Sequence, residues 1–97
     1  MLSKIPFSLE NLTEEDLNKQ ILRIALIAEL DAINLYEQLA SLTDDESIKT
    51  ILLDIAREEK THVGEFLTLL LDKDEEQAEE LEEGREEVEE LLGEEEE

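Results

Sequence analysis

The chain's only histidine, His62, follows Glu59 by three residues in the segment AREEKTHVGEF. On a helix that spacing puts a carboxylate and an imidazole on one side, one turn apart. Glu29, 30 residues before Glu59, is a third candidate of the same kind. Carboxylate oxygen and imidazole nitrogen without sulfur suit iron, manganese or zinc. The alternative is a solvated surface pair, which is the more common role of a lone Glu-x-x-His.

The neighbours of each carboxylate on its own helix, three, four and seven residues away, distinguish Glu29 and Glu59 from the other acids. All six neighbours of Glu29 are apolar or aromatic, and His62 is the only polar neighbour of Glu59. Glu58 and Glu37 have several polar neighbours, as expected of a solvated face. The neighbours of Glu29 are Leu22, Ala25, Leu26, Ala32, Ile33 and Tyr36, and those of Glu59 are Leu52, Ile55, Ala56, His62, Val63 and Phe66.

A carboxylate on an apolar stripe must be neutralised, paired or bound to a metal, because burying its charge alone costs several kcal/mol. No lysine or arginine lies on either stripe near Glu29 or Glu59. Arg23 and Arg57 are about 100° or more away around their helices. The pattern therefore favours a metal site.

Composition limits what else the chain can do. Its 97 residues can form one small domain at most, and it has no cysteine for disulfides or thiolate ligands, which fits a reducing cytoplasm. A net charge of −22 makes nucleic acid an unfavourable partner, because phosphates would be repelled. Charged residues interrupt the longest apolar stretch, ILRIALIAEL, so we expect no membrane span.

Two long amphipathic helices follow an irregular lead-in at residues 1–12. Thr13 begins a capping box for the first helix, whose apolar period of three and four residues continues to Ala40–Ser41. Thr43 begins a second capping box, and a second helix runs to about Leu71. The short connection predicts an antiparallel hairpin for residues 13–71, each helix about 40 Å long. An apolar face this wide needs a second hairpin to cover it.

Residues 72–97 form a separate acidic segment, with 16 acids and two bases. Its apolar periodicity is thin and Gly84 weakens it, so we expect a short third helix followed by a frayed acidic end. The predicted fold class is all-α, an antiparallel two-helix hairpin plus a short C-terminal helix. Two such hairpins would form a four-helix bundle.

Position along the hairpin brings the candidate ligands together. The midpoint between residues 29 and 59 falls on the turn, so Glu29 and Glu59 should lie at one level with His62 nearby. One Glu and one Glu-x-x-His are half of the set that di-iron carboxylate bundles use. A two-fold homodimer would supply the other half and complete a dinuclear centre.

The segments IAELDAINLYE (27–37) and DIAREEKTHVGEFLTLLL (54–71) resemble the encapsulated ferritins, closely following archaeal members. These proteins are a branch of the ferritin-like superfamily found inside or fused to encapsulin shells. The likeness covers Glu14 to Leu71. Leu35 stands where other members can carry a tryptophan.

The resemblance implies that Glu29, Glu59 and His62 are the iron ligands of a di-iron ferroxidase centre shared by two chains. It implies that Tyr36 lies beside the centre and that Asp31 lies on the route by which iron enters. It also implies a half-ferritin that dimerises into a ferritin-like four-helix bundle. The expected assembly is a ring of dimers, a decamer, rather than a hollow cage.

The resemblance further implies a location inside an encapsulin nanocompartment in the cytoplasm, because the family depends on the shell for iron storage. The last residues, GEEEE, resemble no targeting peptide, so the shell protein could be fused C-terminally. Two alternatives stay open at this stage. One is a rubrerythrin-like di-iron oxidase or peroxidase, and the other is a non-catalytic helical oligomerisation module.

Overall fold

Three α-helices form the described part of the chain, residues 12–93, in a computed structural model. The lead-in up to residue 11 and the last four residues, including the predicted frayed end, lie outside this range. Helix α1 is Glu14–Leu42, α2 is Glu46–Lys73 and α3 is Glu75–Leu92. The all-α fold class and the hairpin of α1 and α2 are confirmed. Within residues 12–93, no helix has both the length and the apolar character needed to cross a membrane.

Helix α1 begins as predicted. The Thr13 hydroxyl accepts a hydrogen bond from the Asp16 backbone N–H at 3.1 Å, and three acids occupy the first turn. An N-cap oxygen satisfies one of the backbone donors that a helix start leaves free, and negative charge there is favoured by the helix dipole.

Helix α2 begins differently from the prediction. Its N-cap is Asp45, whose carboxylate accepts from the Ile48 backbone N–H at 3.1 Å, so the predicted capping box at Thr43 is wrong. Thr43 instead ends α1 in extended backbone, and its hydroxyl accepts from the Asp45 backbone N–H. An extended Asp45 closes the three-residue turn and places a full negative charge at the start of α2.

The helices are longer than the sequence pattern predicted. Helix α1 ends at Leu42 instead of Ala40–Ser41, and α2 ends at Lys73 instead of Leu71. Helix α3 has 18 residues and continues through Gly84 to Gly93, which ends it with a left-handed φ of 69°. Ion pairs from Arg85 to Glu82 and Glu89, one turn on either side, support the helix around the glycine.

The core of the hairpin is thin. Five apolar side chains are buried between the helices, two of them alanines that let α1 and α2 approach closely: Leu22, Ile33, Ala40, Ala56 and Leu70. Many large apolar side chains on both helices remain about half exposed, among them Ile21, Leu30, Leu35, Ile48 and Ile51. An exposed apolar area this extensive is typical of a surface that another chain covers.

The start of α2 provides a test of the capping correction. We expect Asp45→Ala to lower the free energy of unfolding by about 1 kcal/mol, because a helix donor loses its acceptor. Thr43→Ala, the matched control two residues away, should cost clearly less. Urea unfolding followed by circular dichroism at one protein concentration measures both. Equal losses, or a larger loss for Thr43→Ala, would restore Thr43 as the cap.

Candidate metal centre

Three ligand-type side chains meet halfway along the hairpin. Glu29 lies in the middle of α1, and Glu59 and His62 lie one turn apart in the middle of α2. The turn at Thr43–Asp45 sets the register that brings residues 29 and 59 to one level. A ligand atom from each residue lies within 4.8 Å of one from each of the others. The predicted convergence is present.

His62 is the link between the two carboxylates. Its Nδ1 lies 3.2 Å from Oε1 of Glu59 and 3.5 Å from Oε1 of Glu29. The two carboxylate side chains are 18% and 19% exposed, whereas the imidazole is 45% exposed. The cluster therefore lies at the edge of the hairpin, with carboxylates turned inward and the ring reaching the surface.

The three side chains shift one another's pKa values, upward for Glu29 and His62 and downward for Glu59. Hydrogen bonding with Glu59 raises the pKa of Glu29, and burial and the charge of Glu59 act in the same direction. The pKa of Glu59 is lowered, first by the hydrogen bond with Glu29 and then by His62. The pKa of His62 is raised, chiefly by its hydrogen bond to Glu59. Like charges in close contact cannot all ionise easily, which makes Glu29 the harder of the two carboxyl groups to ionise.

Among the described residues, the nearest lysine and arginine pair with acids outside the cluster. Lys60, the neighbour of Glu59 in sequence, pairs with Glu37 of α1 at 3.3 Å. Arg57 pairs with Asp54 on its own helix. Oε1 of Glu29 is buried, and apart from the long 3.5 Å approach of His62 Nδ1 it has no hydrogen-bond partner among the described residues. A buried acceptor without a well-placed donor is costly, and its presence indicates a position for a ligand.

A transition-metal ion fits this donor set. Two carboxylate oxygens and one imidazole nitrogen are hard to intermediate ligands, which suit Fe(II), Mn(II) or Zn(II). Three protein ligands from one hairpin leave coordination positions open. The unpartnered Oε1 of Glu29 would gain a partner in a bound cation, and the repulsion between the carboxylates would be relieved.

The two remaining predicted residues lie outside this cluster. Tyr36 is half-buried on α1, seven residues after Glu29, and thus on the same helix face two turns away. Asp31 is half-buried and is not a member of the ligand group. Their predicted roles beside the metal and in iron entry stay predictions.

Two further acids pair with a base on another helix of the same chain. Glu37 is exposed, as its polar neighbours predict, and pairs with Lys60 across the hairpin. Asp74 belongs to the segment predicted to be solvated, yet it is 6% exposed and pairs with Arg23 at 2.6 Å. The signal for Asp74 was its position three residues before Gln77, which is an N-cap pattern.

Comparisons with known proteins point to one family. A family model described as EncFtn-like matches residues 5–89. Over 81 residues the chain is 63% identical to the ferritin-like–encapsulin shell fusion protein of Pyrococcus furiosus. Over 67 residues it is 42% identical to the encapsulin nanocompartment cargo protein EncC of Myxococcus xanthus.

The matched parts differ in extent. The first alignment covers 84% of this chain and 23% of the fusion protein, and the second covers 69% of this chain and 51% of EncC. The crystal structure of the encapsulated ferritin domain from Pyrococcus furiosus superposes with a TM-score of 0.82 at 54% sequence identity. That match covers 96% of this chain and 97% of the other.

The proton content of the cluster leads to a prediction. Metal ligands must be deprotonated, and the pKa of His62 and that of Glu29 are both raised, so metal uptake should release protons. Affinity should therefore fall as pH drops through the raised pKa of His62, and further as Glu29 is protonated. Titrating unbuffered metal-free protein with ZnCl₂ at about pH 6.5, near the ordinary pKa of histidine, measures the base needed to hold the pH.

The matched variants for this titration are His62→Gln and Glu58→Gln. We expect His62→Gln to release fewer protons per zinc bound, because the imidazole proton is gone. Glu58→Gln changes an exposed neighbour and should behave as wild type. Equal proton release from all three proteins would exclude His62 from the site.

Proposed function

This chain belongs to the EncFtn-like family, and from that premise and the Glu29–Glu59–His62 cluster we propose that it is a ferroxidase. Its substrates are Fe(II) and dioxygen, and its product is Fe(III), which passes on to storage. The observation that carries the proposal is the convergence of three ligand-type side chains around a buried, unpartnered carboxylate oxygen. Iron is both the ligand that fits this donor set and the metal that the family resemblance implies.

The site of one chain is half of a di-iron centre in this proposal. One Glu and one Glu-x-x-His on two helices are half of the ligands found in di-iron carboxylate bundles. A two-fold axis beside the hairpin would bring a second set opposite the first. The half-exposed apolar side chains around the cluster provide the surface that such a dimer buries, as in a four-helix bundle.

Each ligand residue has a distinct task. Glu29 and Glu59 supply anionic oxygen, which favours Fe(III) over Fe(II) and so assists electron loss. His62 supplies a neutral nitrogen, and its pairing with Glu59 orients the ring toward both carboxylates. Two ions held in adjacent half-sites can pass electrons to one dioxygen molecule. Tyr36 beside the centre and Asp31 on the iron route complete the proposed site.

Storage would take place inside a shell. The relative from Pyrococcus furiosus is a fusion of a ferritin-like part with an encapsulin shell, and that from Myxococcus xanthus is a nanocompartment cargo protein. We extend that setting to this chain, as homodimers arranged in a ring, a decamer, within an encapsulin nanocompartment in the cytoplasm. A chain of this size cannot enclose a mineral, so the shell would hold the iron.

Ligand removal tests the site. We expect Glu59→Ala and His62→Ala each to slow Fe(II) oxidation by more than about 100-fold, above the loss typical of residues that only orient ligands. Stopped-flow absorbance of Fe(III) under air gives the rate. Glu58→Ala is the control, because it removes the same side chain from an exposed position one residue away. Wild-type rates in either ligand variant would refute the assignment.

Assembly tests the shared centre. Because the ligands of one centre come from two chains, Fe(II) should promote dimer formation by mass action. Light scattering of anaerobic protein at several concentrations, with and without Fe(II), measures the effect, and Glu29→Ala should abolish the dependence on iron. A monomer that persists while binding iron tightly would contradict a shared centre.

A further inference from the structure

Helices α2 and α3 are separated by a single residue, Asp74. Its backbone N–H donates to the Leu70 carbonyl and closes α2, and its own carbonyl accepts from the Ala78 N–H and opens α3. Its φ of −131° and ψ of 88° are far from helical values, so the chain changes direction there. One residue therefore decides that residues 46–92 form two helices instead of one.

The sequence on either side of Asp74 does not favour a break. No proline occurs after Pro6, and no glycine lies between Gly64 and Gly84. The apolar stripe of α2 also continues across the junction in register. At steps of three and four residues it runs through Val63, Leu67, Leu70, Asp74, Ala78, Leu81, Arg85 and Val88. An unbroken period of this kind is typical of one long amphipathic helix.

A contact from α1 opposes this local preference. Asp74 is 6% exposed, and its Oδ2 accepts from Nη2 of Arg23 at 2.6 Å. Its Oδ1 accepts from the Gln77 backbone N–H at 3.0 Å, which is the N-cap bond of α3. In a continuous helix the Gln77 N–H would bond to the Lys73 carbonyl instead, and the cap would be lost. Both carboxylate oxygens therefore stabilise the break.

The Asp74 carboxylate is charged in this arrangement. The Gln77 backbone N–H lowers the pKa of Asp74 most, and Arg23 and Lys19 lower it further against the opposing effect of burial. A buried carboxylate needs such partners, because burying an unpaired charge is unfavourable. Arg23 belongs to α1, so this charge can be buried at the junction only when α1 lies against α2.

Little else in residues 12–93 holds α3 to the hairpin. None of the residues of α3 is buried, and ten of its 18 residues are glutamates. Within the same range, no Cα atom of α3 lies within 8 Å of one in α1. The direction of α3 therefore depends mainly on how the chain leaves Asp74.

We propose that the Arg23–Asp74 ion pair is a latch that keeps α2 and α3 as two helices, and that without it residues 46–92 form one continuous helix. Packing of α1 against α2 brings Arg23 to Asp74 and closes the latch, so closure of the hairpin sets the direction of α3. With the latch open, the N–H groups of Glu75 and Glu76 gain the carbonyl acceptors that the first turn of a separate helix lacks. The latch contains no metal ligand and does not depend on the proposed ferroxidase activity.

Spin labels distinguish the two forms of the chain. The protein has no cysteine, so Glu65→Cys with Glu87→Cys places one label at an exposed position on each helix. Across 22 residues, a continuous helix separates the labelled positions by about 33 Å, and a bent chain by clearly less. Double electron–electron resonance of metal-free protein in EDTA gives this distance. An excess of the same variant without labels restricts the signal to distances within one chain.

Two substitutions open the latch, and a third is the matched control. We expect Asp74→Leu to give the continuous-helix distance alone, because it removes the cap and the ion pair and completes the apolar stripe. Arg23→Ala should give both the short and the long distance, because the cap remains. The Arg23 side chain is 46% exposed, so its loss leaves no buried void. Arg57→Ala removes an arginine paired within α2 and should keep the short distance of the wild type.

Hydrogen exchange of the unlabelled proteins is the second measurement. The amides of Glu75 and Glu76 should exchange more slowly in Asp74→Leu than in wild type, because they gain helical acceptors. Circular dichroism should show no loss of helicity, which separates an open latch from an unfolded α3. A single short distance in Arg23→Ala, or a short distance in Asp74→Leu with helicity retained, would overturn the proposal. A shift in Arg57→Ala as large as that in Arg23→Ala would also overturn it.

Discussion

Two carboxylates held against each other on an apolar hairpin, with no described lysine or arginine paired to them, are the constraint on which this structure depends. The hydrogen bond with Glu59, burial and the charge of Glu59 all raise the pKa of Glu29. His62 relieves part of this cost through Glu59, but it approaches Oε1 of Glu29 only to 3.5 Å. A bound cation would remove the remaining cost, which is why we regard the cluster as a binding site rather than a structural network.

The hairpin positions the three ligand-type side chains with few residues. A three-residue turn fixes the register of two helices, and that register sets which residues share a level halfway along them. Small side chains, Ala40 and Ala56, allow the helices to approach closely. Few apolar residues are buried in the hairpin, so its core is thin. In the proposed dimer, the same neighbouring chain would cover the exposed apolar face and complete the metal centre.

The 30 acids of this chain have at least three physical roles, which their surroundings determine. Asp45 and Asp74 cap helices, and Asp74 also anchors α3 through Arg23. Glu29 and Glu59 are set among apolar neighbours and form the cluster. Ten more are glutamates along α3, which make that helix strongly acidic. The number of acids therefore does not identify the site, whereas the apolar neighbours of Glu29 and Glu59 on their helices do.

The sequence by itself determined the all-α fold, the antiparallel hairpin, the two misplaced carboxylates and their common level with His62, because helical periodicity and turn length are local properties of the chain. Only the tertiary structure decided that Asp45 caps α2, that Oε1 of Glu29 has no well-placed donor, and that a buried Asp74 anchors the start of α3 to α1. The last of these rests on Arg23 and Asp74, which are 51 residues apart. A contact over that distance has no periodic signature, because it depends on how finished helices pack against each other.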